Sequence, residues 1–279
     1  MQATRDDVRR RMHGMWAAVA PAWDEHSAYA DARGAEVAER MLGLAALRPG
    51  DRVLELACGP AGLGLAAAGR VAPGGEVVLS DVAPEMTAIA AGRVSGLPVS
   101  TLVLDLDRID QPDGSFDAVL CREGLMFAAD HAGAAREIAR VLAPGGRVAI
   151  AVWAARERNP WLGCVLDAVS AELGMPVPPP GVHGPFALSD PDELRAVLAD
   201  FAHVRVREFE VPLRASSFDE WWSRTTALAG PLARMLASLS AEVGEAIRAR
   251  AREAVRPYET SAGLAFPGVT LVATGERAA

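Results

Sequence analysis

The segment VLELACGPAGLG at 53–64 contains the residues best suited to chemistry. An apolar run carries an acidic residue, Glu55, and passes into a turn of small residues that includes Ala57, Gly59 and Gly62. Small residues let a ligand approach the backbone closely, and the helix predicted to follow offers free backbone N–H groups. These features predict a binding site for a nucleotide-like ligand at the end of a buried strand.

A second acidic residue, Asp81, ends the next apolar run, 22 positions after Gly59 (81 − 59). An acid at this place in a βαβ unit can accept hydrogen bonds from both hydroxyls of a ribose. Capping of the helix that follows is a second interpretation, compatible with the first. The turn has the spacing G-x-x-G-x-G, with Ala61 where the dinucleotide fingerprint G-x-G-x-x-G has its second glycine, which disfavours NAD or FAD.

Short apolar runs alternate with helical stretches around these residues, a pattern typical of a parallel sheet with helices on both faces. Strands are predicted at 52–57, 76–81, 99–105, 116–121, 147–153, 203–213 and 268–276, and helices near 62–71, 84–95, 131–142 and 160–173. The fold class is therefore α/β, a Rossmann-like, doubly wound, seven-stranded and mostly parallel sheet whose last strand is antiparallel. N-terminal helices precede the sheet, and a helical insertion at 217–257 precedes its last strand.

Composition excludes several classes of function. The formal net charge of −8, from 36 acidic and 28 basic residues, disfavours nucleic acid as a partner. The three cysteines lack metal-ligand spacing, so neither disulfides nor a metal site is predicted. No apolar run has the length of a signal peptide or membrane span, so a cytoplasmic protein without integral membrane association is expected. The sequence contains no lysine, which excludes Schiff-base chemistry.

Five motifs in order resemble those of a known family. VLELACGPAG, LSDVAPEM, VLDLDRID, PDGSFDAVLCREGLMF and EIARVLAPGGRVAIAVW together look like the class I SAM-dependent methyltransferases, in particular the ubiquinone and menaquinone biosynthesis methyltransferase-like group. The resemblance covers about residues 40–155. It implies S-adenosyl-L-methionine (SAM) as the cofactor and a small-molecule acceptor.

The resemblance also implies a set of cofactor-binding residues. Asp81 is expected at the ribose, Val82 and Met86 beside the adenine, and Asp105 and Leu106 at the adenine amino group and ring. The methionine end is expected to meet Tyr29, Glu55, Ala57, Gly59, Cys121 and Arg122. The glycines usual in the family at positions 57 and 61 are both alanine here, which narrows the floor of the pocket by two methyl groups.

Methyl transfer makes modest demands on a protein, because the sulfonium already activates the methyl group. Alignment of the nucleophile, exclusion of water and, where needed, acceptance of a proton are sufficient. The possible bases are His26, Glu123, His131 and His183, of which His26 and Glu123 are the candidate catalytic residues. A surface position for His26 and an ion pair for Glu123 are the structural alternatives.

Three parts are expected along the chain: an N-terminal helical lid at 1–47, a SAM-binding core at 48–155, and a C-terminal part at 156–279 that contains the acceptor-binding lid at 217–257. The predicted function is methyl transfer from SAM to a small, largely apolar molecule, in specialised or quinone-like metabolism, by a monomer or homodimer. An NAD-dependent oxidoreductase and a SAM-binding protein without methyl transfer are the alternatives.

Overall fold

The computed structural model describes residues 5–278, apart from the side chains of residues 5–9 and 11. Helices and strands alternate through the first half of this range, and helices predominate later. The helices are α1 (Arg5–Glu25), α2 (Ser27–Ala45), α3 (Gly62–Val71), α4 (Pro84–Gly92), α5 (His131–Val141), α6 (Pro160–Leu173), α7 (Pro191–Val197), α8 (Phe218–Leu228), α9 (Gly230–Ala237) and α10 (Ala241–Ala254). The strands are β1 (Arg52–Leu56), β2 (Glu76–Asp81), β3 (Val99–Val103), β4 (Phe116–Arg122), β5 (Leu142–Trp153), β6 (Ala202–Glu210), β7 (Leu213–Ala215), β8 (Glu259–Thr260), β9 (Gly263–Phe266) and β10 (Val269–Glu276).

Seven of the strands in the described range form one sheet, in the order β3-β2-β1-β4-β5-β10-β6. Strands β1 to β5 are parallel to one another, and β10 is antiparallel to both β5 and β6. The predicted fold class, including the antiparallel last strand, is confirmed. The chain reverses direction across the sheet beside β1, and the carboxyl ends of β1 and β4 meet there, which is where such sheets bind ligands.

The sheet is covered on both faces because its central strands are apolar on both sides. One cluster packs α5 and α7 against the sheet, around Phe116, Ile138 and Ile150. The other packs α2 and α3 against the opposite face, around Met41 and Leu120. These two layers fix the ends of the strands and hence the residues that follow them.

The C-terminal part contains an element that the sequence analysis did not predict. Strands β7, β9 and β8 form a second, three-stranded sheet. It packs with α6, α8, α9 and α10 around the fully buried Trp221. The predicted helical insertion at 217–257 is present as α8, α9 and α10, and two of the small strands lie between it and β10.

Strand β5 also differs from its predicted bounds, because it begins at Leu142 and not at 147. Its first residues, including Gly145 with a φ of 73°, pair irregularly with β4 before regular pairing starts at Arg147. Across residues 5–278, no helix combines the length and the apolar character needed to cross a lipid bilayer. Cys58, Cys121 and Cys164 are all buried and unpaired.

Candidate functional site

The turn between β1 and α3 adopts a left-handed backbone at three positions. Ala57, Gly59 and Ala61 have φ values of 53°, 50° and 72°. This conformation favours glycine and costs other residues energy. A side chain at Gly59 would meet no atom within 4 Å, so the backbone there faces open space. The turn is therefore an open cradle at the end of β1.

Asp81 holds this turn from the neighbouring strand. One carboxylate oxygen accepts a hydrogen bond from the Gly59 amide at 3.1 Å, and the other accepts one from the Ala83 amide at 3.0 Å. Burial raises the pKa of Asp81, and the backbone N–H groups of Ala83 and Gly59 oppose that rise. Each oxygen keeps a lone pair for a ligand hydroxyl, because a carboxylate offers about four acceptor sites.

Glu55 is a buried acid, with 2% of its surface exposed, and it lines the same cavity. Its Oε2 atom has no hydrogen-bond partner among the described residues. Burial raises the pKa of Glu55 from 4.5 to about 8, and the Arg122 guanidinium partly offsets this effect. The Gly64 backbone N–H also lowers the pKa of this carboxyl. The unpartnered Oε2 atom remains costly, so a cationic or hydrogen-bonding ligand beside it would relieve the cost.

A cavity of about 1020 Å³ lies over these residues. Its floor is formed by the carboxyl ends of β1 to β5 and by the loops that follow these strands. We call its roof the wall formed by α1, α2, α6, the loop 177–185, β7, α8 and α9. Four tryptophans line the cavity: Trp16, Trp23, Trp153 and Trp161. Trp221 and Trp222, the other two tryptophans, are not in its wall.

The N-terminal helices are fastened over the floor by ion pairs. Arg93 contacts both Asp31 of α2 and the carbonyl of Pro60 in the β1–α3 turn. Arg33 of α2 pairs with Glu123 at 2.9 Å. The Arg33 guanidinium carbon also lies 4.9 Å from the centre of the Trp161 ring, a cation–π contact. These contacts hold α2 as one wall of the cavity.

Most of the predicted site residues lie together in this cavity. Its wall contains ten of the eleven predicted cofactor-binding residues, namely Tyr29, Glu55, Ala57, Gly59, Asp81, Val82, Met86, Asp105, Leu106 and Arg122. Cys121 is the exception, because adjacent side chains alternate along β4 and its thiol packs in the core while Arg122 lines the cavity.

The two candidate bases lie in different surroundings. Glu123 lines the cavity with a φ of 58°, in its ion pair with Arg33. His26 lies at the junction of α1 and α2, where its carbonyl accepts a hydrogen bond from the Ala30 amide. The His26 ring is not part of the cavity wall, whereas Tyr29 and Arg33 of the following helix are.

Arg33 and Arg224 of the cavity wall were not predicted from the sequence, whereas His183, also in the wall, was named as a possible base. His183 and His131 stack with their ring centres 4.0 Å apart. The His183 ring also bonds the Ala128 carbonyl at 2.7 Å, which attaches the proline-rich loop to the floor. The segments that contain Arg33, Arg224 and the tip of this loop have no recognisable motifs. Only the assembled fold therefore shows that these residues share the wall of the cavity.

Replacing Ala57 with glycine is expected to increase the free energy of unfolding by about 1 kcal/mol, because glycine accepts the left-handed backbone without the cost that alanine bears. Urea unfolding of both proteins measures the difference. Ala66→Gly in the regular helix α3 is the matched control and should lose about 1 kcal/mol. A less stable Ala57→Gly protein would contradict this account of the turn.

The donor set of the cavity floor fits SAM. In the part of the chain that the structure describes, no group of three or more His, Cys, Asp or Glu residues has the geometry to hold a metal. The open cradle at Gly59, the two oxygens of Asp81 and the unpartnered Oε2 of Glu55 suit a ligand with a ribose and cationic groups. When bound, SAM supplies an activated methyl group.

Comparison with known proteins agrees with this geometry. The family described as "Methyltransferase domain" matches residues 53–146. The demethylmenaquinone methyltransferase of Thermus thermophilus is 43% identical over 113 residues, which cover 40% of this chain and 51% of that enzyme. The chain thus spans about half the length of that relative.

A longer match extends beyond the core. The ubiquinone/menaquinone biosynthesis C-methyltransferase UbiE of Ectopseudomonas mendocina is 31% identical over 187 residues, or 66% of this chain and 69% of that enzyme. Among solved structures, the YcgJ protein of Bacillus subtilis superposes with a TM-score of 0.59 at 20% identity, covering 87% of this chain and 98% of that one, and shares the fold. The chain therefore belongs to the class I SAM-dependent methyltransferases, in the group related to the ubiquinone and menaquinone biosynthesis enzymes.

Proposed function

We propose that this protein transfers a methyl group from SAM to a small, largely apolar molecule. One observation carries the proposal: a single cavity of about 1020 Å³ joins the acid-lined turns of the floor to a chamber of aromatic and aliphatic side chains. Pockets for one small ligand commonly measure about 300–1,000 Å³. This cavity therefore has room for a cofactor and an acceptor side by side.

The floor residues would divide the cofactor between them. We propose that Asp81 accepts the ribose hydroxyls, that Val82, Met86 and Leu106 flank the adenine, and that Asp105 accepts its amino group. Glu55, with Ala57, Gly59, Arg122 and Tyr29, would surround the methionine end. Support comes from their shared place in the cavity wall and from the hydrogen bonds that leave Asp81 acceptor capacity.

Catalysis would rest mainly on alignment in a closed, largely apolar chamber. Holding the reacting groups in line can supply several orders of magnitude in rate, and the surrounding rings exclude water. We propose Glu123 as the group that accepts a proton from the acceptor when one must leave, with Arg33 orienting its carboxylate at 2.9 Å. His26 lies outside the cavity wall, so we propose no proton transfer through it.

The proposed partner is a small-molecule acceptor and not a nucleic acid, which the net charge of −8 disfavours. A quinone-like acceptor is consistent with the names of the relatives, which act on demethylmenaquinone or in ubiquinone and menaquinone biosynthesis. We propose a cytoplasmic monomer or homodimer. The buried, unpaired cysteines suit a reducing compartment.

The test is the formation of S-adenosylhomocysteine from SAM in the presence of a substituted 1,4-naphthohydroquinone. We expect S-adenosylhomocysteine and methylated naphthohydroquinone to accumulate in equal amounts, and Asp81→Ala to abolish both. The exposed Asp192→Ala variant on α7 is the matched control and should retain the activity. Formation of NADH from added NAD, with no S-adenosylhomocysteine, would support the oxidoreductase alternative.

A further inference from the structure

Charge is divided sharply between the floor and the roof of the cavity. Among the described residues, the carboxylates in its wall all come from the floor: Glu55, Asp81, Asp105, Asp107 and Glu123. The roof contributes no acid to the wall. Its basic residues are Arg10, Arg33, Arg224, Arg234 and His183. Arg122 is the basic residue of the floor. The wall therefore has an acidic side and a basic, apolar side.

This division matches two ligands of different charge. SAM carries a sulfonium and an ammonium cation against one carboxylate, so the acidic floor complements it. The roof faces the space left for the acceptor, between rings such as Trp16 and Trp23. Charged groups in a largely apolar wall act strongly on a ligand, because the local dielectric constant is low. A ligand with an acidic group would complement this basic, apolar side of the cavity.

Two of the roof arginines have donors to offer. The guanidinium carbon of Arg224 lies 4.5 Å from the centre of the Tyr29 ring. One terminal nitrogen of Arg224 forms an ion pair with Glu220 at 2.7 Å. Glu220 is itself fixed by the Ser216 hydroxyl at 2.8 Å, so Arg224 is held in place. Arg234, on the next helix, has no acidic partner among the described residues.

The other basic groups of the roof are already engaged. Arg33 pairs with Glu123, and Trp153 and Trp161 cover its guanidinium at 5.7 and 4.9 Å. His183 bonds the Ala128 carbonyl and stacks on His131. The arginines of α8 and α9 are therefore the better candidates to receive a ligand group.

We propose that the acceptor is an amphipathic anion, whose apolar body lies against the tryptophans of the cavity and whose acidic group is held by Arg224 and Arg234. This inference rests on the proposed function and makes its substrate class more specific. The acidic group would be a carboxylate or another ionised oxygen acid, because a guanidinium binds such oxygens with paired hydrogen bonds.

Two probes of equal size test the inference by calorimetry: 2-naphthoate and the uncharged naphthalene-2-methanol. Each is titrated into the full chain saturated with S-adenosylhomocysteine. We expect 2-naphthoate to bind at least about tenfold more tightly than the alcohol, as charge-assisted hydrogen bonds require. High salt should reduce the preference.

Four variants test whether the preference for 2-naphthoate depends on Arg224 and Arg234. Arg224→Gln and Arg234→Gln should each lower the preference for 2-naphthoate, and Arg224→Lys should retain part of it. Arg195→Gln, an exposed arginine of α7 that pairs with Asp192, is the matched control and should leave the preference intact. The affinity for S-adenosylhomocysteine should stay within about threefold in all four variants, since Arg224 and Arg234 are assigned to the acceptor and Arg195 is not in the cavity wall.

Several results would overturn the inference. One is equal or tighter binding of the alcohol, and another is no detectable binding of 2-naphthoate. A third is a tenfold loss of S-adenosylhomocysteine affinity in Arg224→Gln, because that loss would assign Arg224 to the cofactor. Failure of the proposed function is distinguishable, since it would appear first as failure of the wild-type chain to bind SAM or S-adenosylhomocysteine. Bound S-adenosylhomocysteine without a preference for the acid contradicts the further inference alone.

Discussion

Replacing Asp81 with alanine is expected to weaken SAM binding by about a hundredfold or more. The carboxylate is assigned to both ribose hydroxyls, and hydrogen bonds to a charged group contribute about 1.5–3 kcal/mol each. The same oxygens hold the Gly59 and Ala83 amides, so the variant also loosens the turn that receives the cofactor. Calorimetric titration with SAM measures the loss directly.

Asp81→Asn separates these two effects, because it keeps one acceptor oxygen and loses the charge. We expect its affinity to lie between those of the wild type and Asp81→Ala. Asp192→Ala removes a carboxylate that is mostly exposed on α7 and should bind SAM as the wild type does. If Asp81→Ala retained SAM affinity within about threefold while folded, the ribose assignment would be wrong.

SAM binding is expected to release a proton from Glu55, and its affinity should therefore rise with pH. Burial raises the pKa of Glu55 to about 8 in the free protein, so this carboxyl is protonated at neutral pH. A cationic ligand group beside it favours the carboxylate and lowers its pKa. Affinity should increase by up to about tenfold per pH unit below pH 8 and level off above it. Titration in buffers of different ionisation enthalpy counts the released protons.

Glu55→Gln is the matched variant, since its amide cannot titrate. It should bind SAM more weakly at pH 8, release no proton and lose this pH dependence. The free protein offers a second measurement. Between about pH 4.5 and 8 the folded state binds more protons at Glu55 than the unfolded state does, so its stability should fall as pH rises. An unchanged proton count in Glu55→Gln would assign the released proton to another group.

The sheet and the acidic floor of the cavity could be predicted because both depend on local patterns. Central strands buried on both faces appear as apolar runs, and a turn such as the one around Gly59 requires small residues at fixed positions. The acids at the strand ends then share one edge of the sheet. Cys121 and Arg122 show the limit of this reasoning, because a shift of one residue along β4 exchanges a core position for one in the cavity wall.

The roof could not be predicted in the same way, because distant segments form it. Tyr29 and Arg224 are far apart in the sequence, and no spacing between them predicts that the guanidinium lies over the ring. The small sheet of β7, β8 and β9 was missed for a related reason. Its strands have two to four residues, too few for an alternating pattern to distinguish them from loops.

Parallel titration of the wild-type protein with SAM, S-adenosylhomocysteine and NAD tests the central claim most directly. The account predicts saturable binding of the two SAM species, one per chain, and no comparable binding of NAD. The reason is that Ala61 occupies the turn where a dinucleotide requires its second glycine. Failure of both SAM species to bind, or tighter binding of NAD, would contradict the account.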